Sequence, residues 1–179
     1  MTLHRLISFL IGRAEKRLGV TLDYTREIAG TDLRLLFRYN RIFGFLDPNN
    51  NVPVDAYHVA RLRGALAADC GECVKAEINL ARSAGLSAQL LDQVVSGQYA
   101  TLPAGLAAVA TLADSVAGLR ADNMEAREIV RAQYGDAGLI ELAFAMNGAA
   151  LLPGIKRAMG YTTACDPGLV RTLVADQGR

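Results

Sequence analysis

The sequence predicts an all-α protein, and three observations lead to this class. Apolar residues recur at intervals of three and four through nearly every segment, which is the period of an amphipathic helix. No segment shows the strict apolar–polar alternation of a half-buried strand. Aromatic residues make up only 6% of the chain and Trp is absent, which suits helices packed closely through small side chains. A chain of 179 residues can bury one sizeable core, or two helical halves that share one.

Turn and capping residues divide the chain into successive helices. Asp32, Ser87 and either Asp122 or Asn123 are typical N-cap residues, and Pro53 suits the start of a helix. The predicted helices cover residues 2–18, 32–45, 53–68, 71–83, 87–95, 103–119, 124–133 and 137–152, with a short continuation over 155–159 after a kink or stop at Pro153–Gly154.

One linker organises the chain. The run Asp47–Pro53 combines prolines with consecutive asparagines and cannot lie inside a helix. We therefore expect an N-terminal helical arm over residues 1–46, a helical domain over residues 54–163 and an irregular tail over residues 164–179.

Charge and hydropathy exclude several classes of function. The net charge of +1 gives no electrostatic case for a nucleic-acid partner. The apolar stretch Leu6–Ile11 is short and charged residues follow it, unlike a secretion signal. The longest apolar run, Leu142–Pro153, is far below the ~20 residues that span a bilayer. We expect a soluble cytoplasmic protein, in which a close cysteine pair is more often catalytic, redox-sensing or metal-binding than structural.

The chemistry is expected at the cysteine pair Cys70–Gly71–Glu72–Cys73, which begins a predicted helix. Unpaired N–H groups and the positive end of the helix dipole favour a thiolate there. The spacing lets the two sulfurs form a disulfide, so that one thiolate can attack a substrate and the other can resolve the product. Cys165 lies in the predicted tail, either as a partly exposed thiol without a role or as an auxiliary resolving cysteine.

Two ionisable residues fall on the apolar faces of neighbouring predicted helices. Glu77 shares a helix face with both cysteines, and His58 lies on the apolar stripe of the helix before. A buried carboxylate is costly unless something hydrogen-bonds to it, so the sequence predicts that His58 and Glu77 are partners close to the cysteines. The ordinary alternative is that each is a satisfied core residue.

These residues resemble the carboxymuconolactone decarboxylase family in its alkylhydroperoxidase D-like branch, over about residues 54–97. The pattern of that branch is Glu-x11-Cys-x2-Cys-x3-His. This chain matches its spacing with His58, Cys70, Cys73 and Glu77, but the acid and the imidazole have exchanged places. Glu72 stands where relatives often carry another His.

The resemblance implies a compact multi-helix bundle and peroxide reduction through a cysteine sulfenic acid. Cys73 would be the peroxidatic thiol and Cys70 the resolving one. His58 would accept the proton, Glu77 would orient it, and Glu72 would be a possible accessory residue. The resemblance also implies a small hydroperoxide or disulfide substrate, a protein or small-thiol reductant, and homo-oligomers such as trimers or hexamers. The first 50 residues match poorly and are expected to cover the site or to contact another subunit.

Three other interpretations remain open. Two thiolates, an imidazole and a carboxylate are an acceptable zinc-ligand set, although the main interpretation requires neither metal nor cofactor. A decarboxylase-like lyase is the second, and it would not need the cysteine pair. The third is a non-enzymatic protein in which the pair only senses redox state.

Overall fold

The computed structural model describes residues 3–46, 51–162, 164–166, 168, 172 and 174. Within them the secondary structure is helical, without strands, which confirms the all-α prediction. The α-helices are α1 (Leu3–Leu18), α2 (Asp23–Thr31), α3 (Leu33–Asn40), α4 (Val54–Ala67), α5 (Gly71–Ser83), α6 (Ala88–Val95), α7 (Ala104–Ala113) and α8 (Met124–Ala158). Two 3₁₀ segments, Arg41–Leu46 and Tyr99–Thr101, and a π-helical segment, Asp114–Leu119, lie between them.

The predicted caps act as expected. Asp32 accepts a hydrogen bond from the Arg34 N–H at the start of α3. Ser87 and Asn123 accept N–H groups in the first turns of α6 and α8, at 3.2 and 3.0 Å. Each cap satisfies a backbone donor that has no partner inside its own helix, which fixes where the helix begins.

The structure differs from the prediction at four places. One is the helix predicted over residues 103–119, whose α-helical part ends at Ala113 and continues as the π-helical segment Asp114–Leu119. The sequence analysis assigns no element to α2, whose buried side chains include Tyr24 and Ala29. The helix predicted over residues 32–45 ends at Asn40 and continues as the 3₁₀ segment. Pro153 neither ends nor visibly breaks α8: it is fully buried inside the helix, where packing outweighs the lost hydrogen bond. The predicted gap before residue 137 is present, because Gly135 has a left-handed φ of 72°.

The core is centred on the contact between α4 and α8. A Cβ on Gly64 would overlap the carbonyl oxygen of Met146 and lie 2.9 Å from its carbonyl carbon, so these two backbones touch. Helices α5 and α7 also pack against α4. Since α4 leads directly into the cysteine pair, this central packing fixes the base of the candidate site.

Helix α8 is the one helix of the described part that is long and apolar enough to cross a bilayer by length and composition. One such helix is weak evidence for a membrane span, since core helices of globular proteins pass the same test; 44% of its apolar window is buried inside the protein. Its outer face nevertheless exposes Ile140, Phe144 and Leu151.

Two predicted segments fall partly outside the described residues. Residues 47–50 of the predicted linker lie outside them. Of the predicted irregular tail, the structure describes residues 164–166, 168, 172 and 174, and the last three have helical backbone. Val174 is buried, and its carbonyl accepts a hydrogen bond of 2.7 Å from Arg82 on α5.

Candidate functional site

Cys70 and Cys73 form a disulfide at the first turn of α5, as the sequence predicts. Cys70 is the N-cap residue, and the Cα atoms of the pair are 5.3 Å apart. The Cys73 N–H points at the Cys70 sulfur over 3.4 Å, as it would toward an N-cap oxygen. Cys70 is completely buried whereas Cys73 is only partly buried, so Cys73 is the more accessible residue of the pair.

The turn that precedes Cys70 is held from two directions. Asp69 adopts a left-handed backbone (φ 50°), a conformation that Asp tolerates better than most side chains. Arg157 at the end of α8 donates to the carbonyls of Ala68 and Asp69, at 3.1 and 2.9 Å. The Asp69 carboxylate accepts the backbone N–H of Cys165 over 2.9 Å. The end of α8 and the segment after it therefore meet beside the cysteine pair.

The partner of Glu77 is Arg61, which corrects the predicted His58–Glu77 pair. The Arg61 Nε and Nη2 atoms donate to the two Glu77 carboxylate oxygens at 2.8 and 2.9 Å, a bidentate contact. Both side chains are almost entirely shielded, with 11% and 7% of their surface exposed. The remaining Arg61 nitrogen, Nη1, donates to the Tyr57 hydroxyl at 3.1 Å and to the Leu46 carbonyl at 3.2 Å. Glu77 is thus compensated by a full cation and not by an imidazole.

His58 is instead half-buried beside Tyr57 and Arg61. Its Nδ1 atom is buried without a hydrogen-bond partner, and its ring packs edge-on against Tyr57 with 5.4 Å between centroids. Burial, and secondarily the Arg61 charge, lower the pKa of His58 to about 4. The imidazole is therefore neutral at physiological pH.

The helix register explains why His58 does not join the cysteines. Helices α4 and α5 are joined by a short turn and pack together, and the Arg61–Glu77 contact fixes their antiparallel alignment. From that alignment and the rise of a helix we infer that His58 lies at the level of the turn beyond Glu77, on the side away from Cys73. Seven residues of helical rise separate the two levels, or about 10 Å. The predicted imidazole–thiol contact does not fit this register.

Glu72, between the cysteines, is bound by a lysine from α8. The Lys156 ammonium lies 2.6 Å from a Glu72 carboxylate oxygen, and only 4% of the lysine side chain is exposed. The same ammonium lies 5.2 Å from the centre of the Tyr24 ring. This contact joins α5, α8 and the N-terminal arm at the cysteine pair.

An open groove of about 440 Å³ runs beside this cluster. The end of α1 and the residues after it form one wall, and Glu72 and Lys75 form the other. The Asn79 side chain fixes the arm to α5 by donating to the Leu18 carbonyl at 2.8 Å. The arm, whose role the sequence left open, therefore flanks the cysteine pair.

The structure does not assemble the zinc set considered from the sequence. Both oxygens of Glu77 are bonded to Arg61, and the helix register separates His58 from the cysteines. Across the residues the structure describes, no group of three or more His, Cys, Asp and Glu side chains is arranged to hold a metal ion.

Sequence reasoning missed Arg61, Lys156 and Asp69 as parts of this site. The signal for Arg61 was present: it follows His58 by three residues, so one helix face offered two candidate partners for Glu77. Lys156 and Asp69 act through contacts that the local pattern does not encode.

Comparisons of the chain with family models, with curated proteins and with solved structures found no match. The family resemblance therefore stays a prediction.

Proposed function

We propose that this protein is a cytoplasmic thiol–disulfide oxidoreductase that cycles Cys70 and Cys73 between a dithiol and a disulfide. The observation that carries the proposal is the disulfide at the start of α5, with one cysteine buried and the other partly exposed. As a purely structural link it would do little. A loop this short stabilises a fold by about 2 kcal/mol in the chain-entropy account, against nearly 5 kcal/mol for a 100-residue loop.

The two sulfurs have different surroundings that suit different roles. Cys73 is the more exposed residue of the pair, and it is the one that we expect a substrate or reductant to reach. Cys70 is buried, but its sulfur lies at the N-cap position, where the Cys73 N–H and the helix dipole stabilise a thiolate. Cys73 is accordingly the attacking residue and Cys70 the resolving and leaving one. The family resemblance implies the same assignment.

In the oxidising half-reaction the proposed substrate class is a small hydroperoxide. The Cys73 thiolate attacks the peroxide: an S–O bond forms, the O–O bond breaks, and the leaving alkoxide takes up a proton to become an alcohol. The Cys70 thiolate then attacks the Cys73 sulfur, the S–S bond forms, and the sulfenic oxygen leaves as hydroxide, which is protonated to water.

In the reducing half-reaction an external dithiol attacks the Cys73 sulfur, because the Cys70 sulfur is shielded. The S–S bond breaks and Cys70 leaves as a thiolate, stabilised by the helix N-terminus. The second thiol of the reductant then releases Cys73. The groove lined by Glu72, the residue before Cys73, is where we expect the reductant to dock.

The scheme does not use the predicted His58–Glu77 proton relay. Glu77 compensates the Arg61 charge one turn beyond Cys73, and it acts as a positioning residue for α4 against α5. Glu72 is placed by Lys156 at the rim of the groove and remains an accessory residue.

Steady-state turnover with a small alkyl hydroperoxide and dithiothreitol tests the proposal. We expect wild-type protein to turn over and Cys73→Ser to lose at least 100-fold of kcat/KM, while both proteins keep their helical circular dichroism. Disulfide formation without catalytic turnover would instead favour a redox sensor. Equal activity of Cys73→Ser and wild type would overturn the proposal.

A further inference from the structure

One side of helix α1 meets the rest of the protein. Ile11 is buried on this side. The Glu15 carboxylate accepts hydrogen bonds from the Leu22 N–H at 2.9 Å and from the Arg26 guanidinium at 2.6 Å. Glu15 is the only acidic residue of α1, so the negative charge of this helix is already compensated.

The opposite side of α1 presents large apolar and basic side chains to the outside. Most of them follow one another at intervals of three and four residues, which places them on one helix face. The four apolar members are 40–58% exposed, and the two arginines are exposed as well. We call this set the α1 face: Leu3, Leu6, Phe9, Leu10, Arg13 and Arg17. Grouped exposed apolar residues beside charged ones mark an interaction surface.

Charge is distributed unevenly between the N-terminal arm and the rest of the chain. Residues 1–46 contain eight Lys and Arg against four Asp and Glu, which gives a net charge of +4. The whole chain has a net charge of +1, so residues 47–179 carry −3. Such an asymmetry is typical of chains in which one part meets an anionic surface. The partner of the α1 face is therefore expected to be negatively charged.

We propose that the α1 face binds the surface of a bilayer that contains anionic lipids. Its four apolar side chains enter the boundary between headgroups and acyl chains, and Arg13 and Arg17 pair with the anionic headgroups. Helix α1 has 16 residues and is about 24 Å long, so it lies along the surface and does not cross the bilayer. This inference goes beyond the proposed redox activity and does not depend on it.

Two other partners match the α1 face less completely. A second copy of the chain in a two-fold contact would bring the same cations against each other, which is unfavourable. A nucleic acid would neutralise Arg13 and Arg17 but would leave the four apolar side chains in water. An anionic bilayer is the partner that accepts both the apolar and the basic half of the face.

The test is co-sedimentation of the purified protein with sucrose-loaded vesicles. One set consists of phosphatidylcholine alone, and the other contains about one third phosphatidylserine. At 0.1 M NaCl we expect the protein to bind the phosphatidylserine vesicles at least tenfold more tightly than the phosphatidylcholine vesicles. Raising the salt to 0.5 M should remove most of that difference, because it screens the attraction between the arm and the anionic headgroups.

Two pairs of variants assign the binding to α1. Leu6→Gln with Leu10→Gln should weaken binding to phosphatidylserine vesicles at least tenfold, because about half of each leucine is available for burial in the bilayer. Its matched control is Leu119→Gln with Met124→Gln, which changes two exposed apolar residues outside the arm and should leave binding within twofold.

Arg13→Gln should weaken binding roughly fivefold, the effect of one cation near an anionic surface. Its matched control, Arg120→Gln, removes an exposed arginine outside the arm and should leave binding within twofold. All these positions are on the surface, so circular dichroism should be unchanged. If the double leucine variant does not fold, the comparison of the two arginine variants carries the test.

Three results would overturn the inference. The first is no binding, or equal binding to the two kinds of vesicle. The second is an equal loss of binding in the α1 variants and their controls, which would place the membrane contact elsewhere. The third is sedimentation velocity in which the α1 variants dissociate an oligomer while wild-type protein ignores the vesicles, which would assign the α1 face to a second copy of the chain.

Discussion

Removing one partner of the buried Arg61–Glu77 pair should destabilise the protein strongly. In Glu77→Leu the Arg61 guanidinium stays charged with 11% of its surface exposed, since no accessible pH deprotonates it. Leaving one charge of a buried pair uncompensated costs about 3–5 kcal/mol, out of a total stability of about 5–15 kcal/mol for an ordinary domain. Arg61→Met likewise leaves the buried Glu77 carboxylate without its ion-pair partner.

The double variant should recover most of that loss. With Arg61→Met and Glu77→Leu together no buried charge remains, and replacement of a buried pair by apolar side chains is often neutral. The Leu46 carbonyl keeps a donor, because the Tyr57 hydroxyl also bonds to it. The two substitutions should therefore couple by about 3 kcal/mol.

The assay is urea unfolding followed by circular dichroism at one fixed protein concentration, with the slope m checked for each variant. The companion cycle uses His58→Phe with Glu77→Leu. It should be additive within about 0.5 kcal/mol, because Glu77 is bonded to Arg61 and not to His58. Additivity between Arg61 and Glu77, or strong coupling between His58 and Glu77, would refute this account of the α4–α5 contact.

Three further predictions test other parts of the structure. Between pH 6.5 and 4 His58 takes up a proton in the unfolded chain but not in the folded protein. The free energy of unfolding should therefore decrease as the pH is lowered through this range, by on the order of 1–2 kcal/mol after solvent screening. His58→Gln should remove that part of the pH profile. Gly64→Ala should lower the free energy of unfolding by roughly 1–3 kcal/mol or more, because the added Cβ would overlap the Met146 backbone. The control Gly12→Ala should be neutral or slightly stabilising, because a Cβ there would have no atom within 4 Å. Sedimentation should show a species larger than a monomer, and Phe144→Glu on the exposed face of α8 should shift it toward the monomer; an unchanged distribution would count against that face as the contact.

The fold was largely predictable because the ends of most helices are marked by capping or helix-breaking residues in the local sequence. The caps Asp32, Ser87 and Asn123 and the break at Gly135 are encoded by single residues and their neighbours. Helix α2 was not assigned from the sequence; in the structure its buried Tyr24 packs edge-on against Tyr39 of α3.

The site was predictable only in part, for a related reason. The Cys70–Cys73 disulfide follows from spacing within one helix turn, and it is present. The partner of Glu77 depends on how α4 and α5 are aligned along their axes. Helical periodicity predicts which face of a helix a residue lies on, but it does not predict which residues of two neighbouring helices lie at the same height. His58 and Arg61 are both accessible to that face by sequence, and only the packed structure selects Arg61. The contact of the Cys165 backbone N–H with the Asp69 carboxylate joins distant parts of the chain and has no local signal.

The central claim, a redox cycle in which Cys73 attacks and Cys70 resolves, is tested most directly by mass spectrometry after stoichiometric hydroperoxide. Wild-type peptide 64–75 should lose two hydrogens, as the Cys70–Cys73 disulfide forms. In Cys70→Ser, dimedone should trap a sulfenic acid at Cys73, and in Cys73→Ser it should trap none at Cys70. Dimedone labelling confined to Cys70, or an unchanged mass of the wild-type peptide, would contradict the account.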